Sequence, residues 1–182
     1  CTIADIHAYR PSKHSLSQSQ ILLRNYTADE ARLPMREMVE SLVLELLQIK
    51  AVTKCIHVHI GYAAEDVKST GGSRTLAHYT DSFQELCPAV LALFDKYKRP
   101  HELIRRIAVS FEDLVNKAAV PTEMDLFSNA LTDTAEQEEH IQKTMLNIKG
   151  RFGKNAILRA SSLQEEGTMQ FRNTLVGGHN GE

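Results

Sequence analysis

The sequence predicts an α+β fold of order β-α-β-β-α-β, with a four-stranded sheet, two helices on one of its faces and a C-terminal tail that carries a further helix. Three observations predict it. Four segments alternate at period two, two segments place apolar residues at helical spacing, and the two kinds interleave in the split βαβ order.

The first strand is expected from Lys13 to Leu22. Ser15, Ser17 and Ser19 fall on one face, and Leu16 and Leu22 with Gln18 and Gln20 on the other. Thr27-Ala28-Asp29-Glu30 then has capping-box spacing. Met35, Met38, Val39, Leu42, Val43, Leu46 and Leu47 recur at helical intervals to about Lys50, and the stripe reads as core. Pro34 conflicts with an uninterrupted helix, so a kink or a start nearer Leu33 is expected.

Val52 to Tyr62 is the second strand. Val52, Ile56, Val58, Ile60 and Tyr62 face inward with Lys54 near the start, while Thr53, Cys55, His57 and His59 face the other way. Two imidazoles on one strand face raise the question of a metal, but no further ligand has suitable spacing, and the reading is against one. Ala63 to Gly72 reads as a loop, and Ser73 to Tyr79 as a third strand with Arg74 and Thr75 near its start.

Thr80-Asp81-Ser82 supplies N-cap candidates for a second helix through Phe83, Leu86, Cys87, Val90, Leu91, Phe94 and Tyr97. Pro88 sits awkwardly in its second turn, and Lys98-Arg99-Pro100 closes it. The last strand runs from Leu103 to Phe111. Strict alternation puts Leu103, Arg105, Ile107, Val109 and Phe111 on one face, and Ile104, Arg106, Ala108 and Ser110 on the other.

With both helices on one side, the other sheet face is open and is expected to carry Ser15, Ser17, Ser19, Thr53, Cys55, His57, Thr75 and Arg106. It has hydroxyls, imidazole and guanidinium but no aromatic side chain. Modules that read single-stranded RNA stack bases on sheet aromatics; this face suits a phosphate backbone instead.

Composition sets outer bounds. A chain of 182 residues, 42% hydrophobic, holds one domain with an appendage. No apolar run approaches the roughly 20 residues of a membrane span, and the start has no signal-peptide pattern. The chain opens on Cys1 instead of Met, so the expectation is a fragment of a longer protein. Three widely spaced cysteines (Cys1, Cys55, Cys87) point to reduced thiols in a cytosol. Residues 10–117 hold 15 Lys/Arg against 13 Asp/Glu, whereas residues 118–182 hold 6 against 9, a mildly basic body before an acidic tail.

Several patches in this order resemble the carboxy-terminal part of bacterial Y-family translesion DNA polymerases, in the mutagenesis-protein and UV-damage-repair branch. Tyr9-Arg10-Pro11-Ser12-Lys13-His14-Ser15 is similar to that family's entry from the thumb, and Arg24-Asn25-Tyr26 to its Arg-Asp-Tyr. Lys54 leads a similar second strand, and Ile104-Arg105-Arg106-Ile107-Ala108-Val109-Ser110 resembles the family's last strand. Arg151-Phe152-Gly153-Lys154-Asn155-Ala156-Ile157-Leu158-Arg159-Ala160 and Gly177-Gly178-His179 look like the extended tail of that branch.

The resemblance implies a linker from the thumb over residues 1–12, a little-finger domain over 13–117 and a tail over 118–182. It implies a non-catalytic module that grips template–primer duplex DNA through phosphates, in translesion synthesis and the SOS response. Ser15, Ser17, Lys54, Arg74, Thr75, Arg105 and Arg106 are the residues assigned to that contact. The catalytic carboxylates and divalent Mg belong to the palm, so the fragment is expected to need no cofactor and to be inactive without the palm, fingers and thumb. No membrane partner is implied, and a bacterial, nucleoid-associated cytoplasmic location is.

Glu123-Met124-Asp125-Leu126-Phe127 resembles the Gln-Leu-Asp-Leu-Phe peptide by which such polymerases bind the processivity sliding clamp. Leu126 and Phe127 would fill an apolar pocket. Glu123 stands in place of an amide that can also donate, and Met124 in place of Leu. The other reading packs Met124, Leu126 and Phe127 on the domain itself. In the tail, Asp133 or Thr134 is expected to cap a helix carrying Ile141, Met145 and Ile148, and Ile157 to Ala160 to add an extended piece. The last six residues are expected to be mobile.

Two rival functions have the same strand order. An RNA-binding or protein-interaction module is disfavoured for RNA by the missing sheet aromatics. A small phosphatase would need a phosphate-cradling loop with a placed Arg and Asn, and Gly71-Gly72 lacks that context.

Overall fold

Thr27 is where the first strand becomes the first helix. Its Oγ1 accepts from the Glu30 amide at 3.3 Å, and the Glu30 carboxylate accepts from the Thr27 amide at 2.7 Å, the reciprocal capping box. Arg24 adds an ion pair to Glu30 at 2.8 Å. The computed structural model describes residue 2 and residues 15–120, 129–176 and 179–180. In it β1 (Leu16–Tyr26) leads through this cap into α1 (Ala28–Ile49), and Lys50, in the left-handed conformation, turns the chain straight into β2 (Ala51–Tyr62). Next come β3 (Thr70–Thr80), α2 (Phe83–Tyr97) and β4 (Ile104–Glu112), the predicted order.

Neither proline interrupts its helix. Pro34 lies inside α1 and Pro88 inside α2, where the sequence led us to expect a kink or a later start for α1. An interior proline costs about 3 kcal/mol against alanine. Fully burying one Leu, Val or Phe returns about 1.5–3 kcal/mol, and α1 buries Met35, Met38, Val39, Leu42, Val43 and Leu46.

The sheet order is β1-β4-β2-β3, antiparallel throughout, with the two-residue β5 (Val115–Asn116) pairing at the start of β2. The last long strand is therefore inserted between β1 and β2. Helices α1 and α2 pack on one sheet face. Ile56, Val58, Ile60, Ile107, Val109 and Phe111 meet Leu86, Val90, Phe94 and the α1 stripe in one buried core. β3 begins earlier than expected and takes in Gly71 and Gly72. A side chain at Gly72 would run into the Tyr97 ring, and one at Gly71 into the Val58 carbonyl, so this pair serves close packing instead of loop flexibility.

The tail is built against the helices. A 3-10 turn (Lys117–Ala119) follows β5, and α3 (Asn129–Phe152) starts upstream of Asp133 and Thr134, which it contains instead of being capped by them. Of the extended piece expected over Ile157 to Ala160, Arg159 has extended backbone, no strand forms, and Ala160 already belongs to the next turn. Arg159 is drawn into an ion pair with the buried Glu40 at 2.8 Å and lies 4.4 Å from the centre of the Phe83 ring, and the chain goes into a second 3-10 turn (Ala160–Leu163). A short α4 (Met169–Arg172) follows. Leu175–Val176 and His179–Asn180 then pair as β6 and β7; of the last six residues, expected to be mobile, the other four lie outside the described residues.

α4 is held by a carboxylate from another element. Glu37 of α1, 2% exposed, accepts through one oxygen from the Thr168 amide, the Thr168 hydroxyl and the Met169 amide, at 2.9, 3.0 and 2.9 Å. Arg172 donates to Ser41 at 2.8 Å, and the Tyr26 hydroxyl donates to the Glu166 carbonyl at 3.3 Å. The tail thus clasps the outer side of α1, away from the open sheet face. Among the described residues no helix is long and apolar enough to cross a membrane.

Candidate nucleic-acid interface

Strand register builds the open face row by row, because residues directly opposite in an antiparallel pair project to the same side. Ser17 of β1 pairs with Ser110 of β4, Ser110 with His57 of β2, and His57 with Ser73 of β3. The next row is Ser19, Ala108, His59 and Gly71, and the one beyond it Ile21, Arg106 and Gly61. At the other end Glu112, Cys55 and Thr75 are in register. With strands about 4.8 Å apart, the first row sets three hydroxyls and an imidazole across roughly 14 Å of surface. Apart from the imidazoles, the side chains of the first two rows are short (serine, alanine and glycine), so a ligand can approach close to the backbone there.

The cationic rim comes from a β-bulge that strict alternation does not foresee. Gly61 faces Arg106 while Tyr62 faces Ile104, leaving Arg105 as an extra residue. The shift returns Ile104 to the core at 0% exposure, leaves Leu103 at 44%, and exposes both Arg105 and Arg106. This corrects the expected faces: Leu103 and Arg105 do not share the core side with Ile107, and Ile104 does not share the open side with Arg106. Ile21 and Leu23 are exposed beside this rim.

A second irregularity removes Thr53 from the face. The β2–β3 register shifts between Thr53 and Cys55, and Thr53 is fully buried. Its hydroxyl donates to the Glu112 carbonyl at 2.7 Å and accepts weakly from the Cys55 amide. It is a strand-end clamp, not a surface donor.

The assigned contact residues separate accordingly. Ser15 and Ser17 are exposed at the start of β1, and Thr75 lies opposite Cys55 on the open side. Arg105 and Arg106 form the rim. Arg74, though exposed, pairs with Ile56 and so projects toward the helix side at the sheet edge. Lys54 is half-buried, its ammonium 5.4 Å from the Tyr79 ring centre, at a corner where the Tyr79 hydroxyl donates to Asp113 at 3.0 Å. That bond holds the Tyr79 phenol above its ordinary value. Ser73, Ser110 and His59 belong to the face but were not singled out from the sequence. Alternation already put Ser110 and His59 on the right side of their strands, whereas Ser73 is placed there only by its pairing with His57. The stretch Glu123 to Phe127 lies outside the described residues.

Chemically the face donates hydrogen bonds and has no activated nucleophile in view. Burial, followed by the Glu112 and Asp113 carboxylates, pushes the Cys55 thiol up from its ordinary value. Among the described residues no cluster of three or more His, Cys, Asp or Glu side chains could hold a metal.

The model of the impB/mucB/samB family C-terminal domain matches residues 13–126 of this chain. UvrX of Bacillus subtilis (strain 168), whose name refers to UV-damage repair, is 30% identical over 172 residues, 91% of this chain and 38% of that protein. DNA polymerase IV of Pelotomaculum thermopropionicum is 29% identical over 144 residues, 74% of this chain and 33% of that protein. The chain thus spans well under half of these curated relatives. Among solved structures, the complex of the β-clamp processivity factor with the little finger domain of PolIV aligns at TM-score 0.43 and 12% identity, covering 64% of this chain and 99% of that one. A post-insertion binary complex of Dbh DNA polymerase aligns at TM-score 0.40 and 13% identity, covering 57% and 29%.

Proposed function

This chain belongs to the impB/mucB/samB family C-terminal domain, the little-finger domain of Y-family polymerases, and on that basis we propose that it is the DNA-gripping, non-catalytic part of a translesion DNA polymerase. The observation that carries the reading is the open sheet face: rows of short hydroxyl and imidazole side chains ending in a rim of two exposed arginines. Hydroxyls, imidazoles and guanidinium groups all donate to phosphate oxygens, and such contacts fix register on a duplex without reading its sequence. The ligand is the template–primer duplex, approached along its backbone. Palm, fingers and thumb of the same polypeptide would supply the catalytic carboxylates and Mg2+, and the work would take place at the bacterial nucleoid in the cytoplasm. Glu123 to Phe127 would tether the assembly to the sliding clamp.

The test is duplex affinity as a function of salt. Log affinity should fall linearly with log salt at about -0.9 per neutralised phosphate. Replacing Arg105 and Arg106 together by Ala should weaken all duplex sequences alike and flatten the slope by about 1.8. A preference for one duplex sequence that persists at high salt, or tighter binding to single-stranded RNA than to duplex DNA, would overturn the reading.

A further inference from the structure

His57 and His59 sit two residues apart on the central strand β2, both half-buried and both on the open face. His57 lies between Ser110 and Ser73, and His59 between Ala108 and Gly71. Ser17 and Ser19 continue the two rows on β1. Neither ring has a hydrogen-bond or ion-pair partner among the described residues. Among the described residues, the charged and titratable groups around them on this face are Arg105 and Arg106 at the rim, Glu112 of β4 and the Cys55 thiol of β2, while β3 presents Gly71, Ser73 and Thr75. α1 and α2 pack on the opposite face of the sheet.

Two unpartnered imidazoles at the centre of a face of hydroxyls and glycine are out of proportion to any structural need of the strand. Histidine is also the side-chain type whose charge responds most readily to physiological changes of pH. We propose that His57 and His59 are direct phosphate ligands that link the grip on DNA to protonation. Protonated, each ring gives the middle of the face a cation with two N–H donors; neutral, each keeps one donor and no charge. A phosphate held beside the ring favours its charged form, so binding takes up protons and, by reciprocity, acid strengthens binding. Arginine as a residue type supplies a permanent charge. The hydroxyl rows and the rim thus supply a constant grip, and the histidines supply an adjustable one. This inference rests on the duplex-gripping reading and adds its regulation.

The experiment is fluorescence anisotropy of the full 182-residue chain with a labelled DNA duplex, run against salt at about pH 7.5 and about pH 5.5. Affinity should rise about ten-fold on acidification, and the log–log salt slope should steepen by up to about 1.8, one phosphate for each imidazole. The double variant His57→Gln, His59→Gln should lose that response, while Glu112→Gln should keep it, which separates imidazole from carboxylate titration. Calorimetry of the unmodified chain in buffers of different ionisation enthalpy gives a second measure that does not depend on the variants folding, and net proton uptake on binding is expected. Salt-dependent duplex binding with no proton uptake, or a pH response that survives in the double Gln variant, overturns the histidine role and leaves the grip standing. No duplex binding at either pH overturns the grip, and the histidine role with it.

Discussion

Replacing Glu37 by Ala should release the tail from the domain without unfolding the sheet. The carboxylate oxygen of Glu37 accepts from the amides of Thr168 and Met169 and from the Thr168 hydroxyl, all within 3.0 Å, where Thr168 and Met169 are themselves buried. The hydroxyl has an alternative acceptor in Gln20 at 3.1 Å, but the two amides have none among the described residues. Hydrogen bonds to a charged group are worth about 1.5–3 kcal/mol each. Two amides left without a partner therefore cost about 3–6 kcal/mol. Relief of the buried carboxylate's own desolvation offsets part of this, leaving about 3 kcal/mol net. At about 1.4 kcal/mol per factor of ten, that is on the order of a hundred-fold in the opening equilibrium of the tail. Amide hydrogen exchange reads it directly. Thr168, Met169 and the amides of Arg172 in α4 and of Asn173 at its C-cap should lose about two decades of protection, while β2 and β4 keep theirs. Glu37→Gln retains an acceptor and should cost about 1 kcal/mol. Unchanged protection of Thr168 and Met169 in Glu37→Ala would refute the assignment of this carboxylate as the clasp.

Two further outcomes follow from the same structure and sequence. Hydrogen bonding to Lys143, and then to Lys117, holds the Glu139 carboxyl below the usual carboxylate range. A value depressed by folding contributes stability that is present above the unfolded value and lost as pH falls through the folded one. The attachment of α3 to Lys117 should therefore loosen below about pH 4, visible as amide chemical-shift changes in α3 that precede those of the sheet. If Glu123 to Phe127 binds the sliding clamp, Leu126→Ala with Phe127→Ala should remove most of the affinity measured by calorimetry, at about 2 kcal/mol or more for each anchor. In that assay Glu123→Gln should strengthen binding modestly and Asp125→Ala should change little.

Much of the candidate interface is legible in the sequence. Ser15, Ser17 and Ser19 alternate against Leu16 and Leu22 within one unbroken stretch, and His57 alternates with Ile56 and Val58 in the same way. Period two is a local property, so these faces can be read residue by residue. Ile104 and Leu103 fall on the wrong side of that reading because a bulge adds a residue to β4 and shifts the phase beyond it, and Thr53 leaves the face because it is buried where the β2–β3 register breaks. The shift is set by how the partner strand pairs, which the local alternation does not record. The pairing of Arg74 with Ile56 across the β2–β3 register is a fact of the same kind.

The elements, their order and the two-layer α+β architecture are thus written locally along the chain. They follow from capping chemistry at Thr27 and Glu30, from helical stripes such as Met35 to Leu46, and from alternation along each strand. The chain's motifs also carry the family. Packing was needed to place β4 between β1 and β2, to bring Arg105 and Arg106 out together at a bulge, and to return the tail to α1. Glu37 and Glu40 look in sequence like solvated positions on a helix, yet they are buried at 2% and 4% because Thr168, Met169 and Arg159 arrive from more than a hundred residues away. A buried carboxylate is stable only where such donors meet it, and the meeting of distant segments is a property of the packed chain.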